Sequence, residues 1–159
     1  MKYFWTVALD GTGDFLSIQD ALNKANDIRE MLYQLTINNK PTLIVATGGS
    51  KVVAHYLQSI IERLGIDGII CEVIEPRDYF YKTNRNQFSN LIAISTSGNT
   101  NGIKDVLDDF NGTKFLITQN NQEAGYQVIS WGNEKYETEN LLYRVIVAVC
   151  NVHAGTGMD

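Results

Sequence analysis

Two prolines, two cysteines and two histidines are few for a chain of 159 residues, and basic residues are short as well. Cys71 and Cys150 lie far apart and fit no metal-type spacing, so they read as buried, reduced thiols of a cytoplasmic protein. The 13 lysines and arginines are outnumbered by 18 acidic residues, for a formal charge of -5. That argues against a nucleic-acid partner held by counterion release, which needs a basic face. A small anion is not excluded, because a few amides and hydroxyls hold one phosphate whatever the net charge. Long apolar runs are missing too. The stretch 141–152 contains Arg144 and is too short to span a bilayer, and the apolar start is cut off at Asp10 without a signal-peptide cleavage site. No membrane partner, metal or cofactor is expected.

What is present is the composition of a globular domain, 44% apolar and 19% charged. Ile28, Leu32 and Leu35 continue a helical stripe that begins at Ile18, behind Ser17 as a candidate N-cap. Asn38-Asn39-Lys40-Pro41 ends it. Residues 42–46 form a β-branched run suited to a strand buried on both faces. A second helical stripe runs from Val53 to Leu64 and stops at Gly65. Strands are expected at 69–74, 91–95, 115–118 and 127–131, with a helix over 100–110 and an irregular acidic-aromatic segment over 75–81. Residues 141–150 read equally as a closing helix or a buried strand. Alternating strands and helices imply right-handed crossovers and a parallel sheet covered on both faces. One domain over 1–159 is expected, with an N-terminal loop and helix (1–40), a core (41–150) and a tail (151–159) that does not read as a finished terminus.

Two segments leave a strand and enter a helix with small, hydroxylated residues: Thr47-Gly48-Gly49-Ser50 and Ser95-Thr96-Ser97-Gly98-Asn99-Thr100. Ligands of parallel sheets sit at such carboxyl ends, where helix N-termini favour an anion. Neither segment is a nucleotide fingerprint. A P-loop needs a Gly-Lys-Ser/Thr ending, and a dinucleotide loop needs a glycine where Val52 and Val53 stand. Four hydroxyls around Gly98 instead suit a phosphate monoester held by neutral donors.

These residues resemble the sugar isomerase (SIS) domains of phosphosugar isomerases and phosphosugar-binding regulators. Residues 43–50 look like the family's first strand and its Gly-x-Gly/Ser-x-Ser loop. Residues 91–100 are similar to its Ile-Ser-x-Ser-Gly-x-Thr/Ser signature, and Phe115-Leu116-Ile117-Thr118-Gln119-Asn120 to its Ile-Thr-Asn strand end. The resemblance spans roughly 42–139. It implies a three-layer α/β sandwich with a flavodoxin-like parallel sheet of about five strands. It also implies that Ser95, Ser97 and Thr100 bind phosphate oxygens. Thr96 would add its amide or hydroxyl, and Gly49 and Ser50 would close the site from the first loop.

Family isomerases interconvert aldose and ketose phosphates through an enediol, which requires a carboxylate near C1 and C2 and often a His for ring opening. Glu134 matches the family's Gly-x-Glu loop, followed by Glu137, although glutamates near a helix start also serve as dipole compensation. His55 falls where phosphoheptose isomerases place a His, but Ser59 stands where its partner carboxylate would be. His153, in the tail, is the other imidazole. Asp78-Tyr79-Phe80-Tyr81 resembles the family's Glu-Phe-x-Tyr segment. Three expectations stay open: an aldose–ketose or amino-sugar-phosphate isomerase, including a deglycase-like activity; a non-catalytic phosphosugar-binding module; and the first half of a double-SIS protein. A single signature is expected to make the chain a homodimer.

Overall fold

Burial follows the position of each strand in the sheet. The computed structural model describes residues 18–64, 69–120 and 124–130. It runs α1 (Ile18–Asn38), β1 (Thr42–Ala46), α2 (Ser50–Leu64), β2 (Cys71–Ile74), α3 (Pro76–Tyr79), a 3-10 turn (Arg85–Gln87), β3 (Asn90–Ile94), α4 (Asn101–Asp109), β4 (Thr113–Thr118) and β5 (Gln127–Ser130). Among the described residues all five strands are parallel, in the order β2-β1-β3-β4-β5. The central β1 and β3 are buried at every residue, whereas the edge strands β2 and β5 are partly exposed. A strand covered on both faces has no room for polar alternation, which is why Leu43-Ile44-Val45-Ala46 and Leu91-Ile92-Ala93-Ile94 are unbroken apolar runs.

The two faces separate by residue parity. Ile44, Ala46, Ile92, Ile94, Phe115 and Ile117 pack under α1 and α2, which contribute Ile28, Leu35, Leu57 and Ile61. Leu43, Val45, Leu91, Ala93 and Leu116 pack under α4, through Ile103, Val106 and Leu107, with Tyr79, Phe88 and Phe110 beside them. The result is the three-layer, flavodoxin-like sandwich that the sequence implied. Cys71 lies in the first layer, and burial, assisted by the charge of Glu62, pushes its thiol up to about 12. It is an inert apolar filler at neutral pH.

Several boundaries shift from the sequence expectation for physical reasons. The expected irregular segment 75–81 contains α3, a single turn opened by Pro76 at its first positions, where proline's missing N–H costs nothing. Residues 69 and 70 precede the β2 ladder, although the Ile70 carbonyl still accepts from the Thr42 amide. α3 is tied to the end of α4 because the Tyr79 hydroxyl donates to Asp109 Oδ2 at 3.0 Å. Burial, and then that carboxylate, push the phenol up to about 12. Among the described residues no helix is long and apolar enough to cross a membrane. The tail and the segment 141–150 lie outside the described residues.

Phe115 is the largest side chain in the fully buried set, at the middle of β4. Phe115→Ala is expected to cost about 3–5 kcal/mol, read as a fall in the urea midpoint with an unchanged slope.

Candidate functional site

The strand order reverses between β1 and β3: the chain leaves β1 toward β2 on one side and leaves β3 toward β4 on the other. The helices that follow, α2 and α4, cover opposite faces. A crevice therefore opens at the carboxyl ends of β1 and β3, the place where open parallel sheets bind ligands. Thr47, Gly48, Gly49, Ser50, Ser95, Thr96, Ser97 and Thr100 line it, together with Gln119 and Asn120 from the end of β4. Its volume is about 560 Å³.

The second loop turns back on itself through its own hydroxyls. Ser95 Oγ lies 3.1 Å from Thr100 Oγ1, and Ser97 Oγ lies 3.5 Å from the same atom. The Gly98 amide donates to both the carbonyl and the Oγ of Ser95, each at 3.2 Å, and the Asn99 amide donates to Ser97 Oγ at 3.2 Å. This tight path needs Gly98 at φ +69°, a left-handed conformation that a Cβ would strain. Gly48, at φ +56°, does the same in the first loop.

Thr100 occupies the N-cap position of α4, yet its side chain makes no capping bond to the helix. Its hydroxyl is turned to Ser95 and Ser97 instead, so the first-turn amides of α4 keep their donors uncapped. Uncapped donors at the positive end of a helix, beside several hydroxyls, form a receptor for an anion. The lining residues carry no charged side chain. Lys51, next to Ser50, is committed elsewhere: its Nζ donates to Glu75 at 2.8 Å and holds that carboxyl below its ordinary range. Among the described residues no group of three or more His, Cys, Asp or Glu could hold a metal ion.

All six residues expected at the phosphate, Gly49, Ser50, Ser95, Thr96, Ser97 and Thr100, line one crevice. His55 does not join them; it is exposed on α2, its Nδ1 3.4 Å from Gln58 Oε1. Asp78 is exposed on the outer side of α3, outside the crevice lining. Glu134, Glu137 and His153 lie outside the described residues. Gln119 and Asn120 are lining residues to which the sequence reading assigned no binding role. Their signal was the Thr-Gln-Asn strand end, which already matched the pattern.

No family model matches this chain, and no curated protein matches it. Solved structures do. A Bacteroides fragilis protein proposed to be a phosphosugar isomerase involved in capsule formation superposes with a TM-score of 0.62 at 14% identity, over 87% of both chains. An Escherichia coli CFT073 protein solved in complex with a sugar phosphate gives 0.61 at 10% identity, over 89% of this chain and 88% of the other. A protein from Silicibacter pomeroyi, also proposed to be a phosphosugar isomerase, gives 0.62 at 19% identity. This chain spans only 45% of that one.

Proposed function

We propose that this chain, which has the fold of the SIS proteins, binds the phosphate of a phosphorylated sugar in the crevice between β1 and β3. The observation that carries the reading is the uncapped start of α4, with the hydroxyls of Ser95, Ser97 and Thr100 gathered against it. The phosphate-binding set is Gly49, Ser50, Ser95, Thr96, Ser97 and Thr100. A phosphate ester is the anion that suits it, since several acceptor oxygens take up several neutral donors at once. Sugar-phosphate chemistry is further supported by the fold neighbours, one of which was solved with such a ligand bound.

The activity proposed for the site is aldose–ketose or amino-sugar-phosphate isomerisation. A carboxylate would take the proton from C2 and return it to C1 while the carbonyl moves between them. Glu134 is the first choice for this base, with Glu137 next. A second reading is a phosphosugar-binding module without chemistry, which needs only the neutral donors that line the described crevice. A homodimer in the cytoplasm belongs to either reading. The first half of a longer, two-domain protein is the alternative architecture, consistent with the 45% coverage of one neighbour.

Ser97→Ala is expected to weaken glucose 6-phosphate or pentose phosphate binding by about 1–3 kcal/mol, measured by calorimetry. Unchanged affinity would remove the phosphate from this loop. For the isomerase reading, wild-type protein should exchange solvent deuterium into C2 of a bound hexose phosphate. Glu134→Gln should slow that exchange by about 10²–10⁴-fold without loss of affinity. No exchange across several saturating sugar phosphates would leave the binding module as the function.

A further inference from the structure

A loop that receives an anion must turn its donors toward the ligand and its carbonyl oxygens away. Each peptide is a rigid plane with N–H and C=O on opposite edges, so fixing one edge aims the other. Three consecutive residues at the end of β4 fix those edges in the loop 95–100. Thr118 Oγ1 donates to the Thr96 carbonyl at 3.1 Å, and the Gln119 amide donates to the same oxygen at 3.0 Å. Asn120 Nδ2 donates to the Ser97 carbonyl at 2.6 Å. Thr118 Oγ1 also accepts from the backbone N–H of Asn120 at 3.3 Å, which ties the Thr118 side chain to the Asn120 backbone.

The consequences differ for the two peptides. The plane between Ser97 and Gly98 is held at both edges, by Asn120 on its oxygen and by Ser95 on its nitrogen. The plane between Thr96 and Ser97 is held at its oxygen alone. Its N–H, on the opposite edge, is directed away from β4 and has no hydrogen bond among the described residues. A flip of this peptide would exchange a donor for an acceptor carrying partial negative charge, and the anion would be repelled.

We infer that Thr118 and Asn120 are positioning residues for the anion loop, holding the Thr96 and Ser97 carbonyls against β4 so that the Ser97 amide stays a donor to the ligand. The inference rests on the phosphate-binding reading for the ligand, but the clamp itself is a property of the free protein. Thr118 is fully buried and does not line the crevice, so it acts only through the loop.

The test uses Thr118→Val, which keeps the shape and removes the hydroxyl, Thr118→Ser, which keeps the hydroxyl, and the exposed Asn120→Ala. Amide hydrogen exchange of residues 97–100 is followed by NMR in ligand-free protein, and glucose 6-phosphate affinity by calorimetry. Thr118→Val and Asn120→Ala are expected to speed exchange selectively in this loop and to weaken binding about 2- to 10-fold each. Thr118→Ser should restore both. Loop exchange unchanged in both Thr118→Val and Asn120→Ala would overturn the inference, as would a general loss of thermal stability with no selective change in the loop. If Thr118→Val does not fold, Asn120→Ala decides alone. Faster loop exchange in a protein whose wild type binds no sugar phosphate would uphold the clamp while refuting the proposed function.

Discussion

Parallel pairing of β1 with β3, with Thr42 opposite Asn90 through to Ala46 opposite Ile94, sets the two loops side by side. Both strands end level, so Thr47 and Ser95 leave the sheet at the same height. Because α2 and α4 then depart to opposite faces, their N-terminal turns converge on one crevice from two sides. The pairing depends on burial, since each strand is covered above and below and a slip of one residue would turn each side chain into the opposite layer, where it does not fit the packing. It is also pinned at the far end, where the buried Asn90 amide donates to Thr42 Oγ1 at 3.2 Å. The geometry of the site is thus set by the middle of the sheet rather than by the loops alone.

Electrostatics explains why an acidic chain can offer an anion site. No fixed charge lines the described crevice, and the nearest lysine in sequence to Ser50 is neutralised by Glu75. What remains is partial positive charge from the start of a helix and from oriented hydroxyls. That charge acts over one turn and barely registers in the protein's overall field. In the free protein the hydroxyls bond one another at distances of 3.1 and 3.5 Å, which holds the loop in shape and leaves the start of α4 without a side-chain cap. On the proposed reading, an arriving phosphate would exchange these bonds for charge-assisted ones, which are stronger.

Much of this was legible in the sequence, for local reasons. β1 was bounded correctly because Pro41 and Gly48 flank a short run rich in β-branched and apolar residues. The hydroxyl loop announced itself through its composition. Other features depend on distant partners and had no local signal. Asn90 reads as a turn residue, yet it opens β3 because Thr42 and Lys40 satisfy its amide. Thr113 and Lys114 extend β4 by pairing with Asn90 and Leu91. Asn120 looked like the end of a strand, and its hold on the Ser97 carbonyl required knowing that β4 lies beside β3. His55, singled out for its place after the first loop, is exposed on α2 and does not line the described crevice.

The central claim is that both loops meet one phosphate. It is tested most directly by amide NMR during titration with glucose 6-phosphate, with glucose as the control. Residues in 47–50 and 95–100 should shift together on one saturable isotherm, and glucose should move neither loop. Saturable shifts confined to other parts of the chain, or none in either loop at millimolar ligand, would contradict the account.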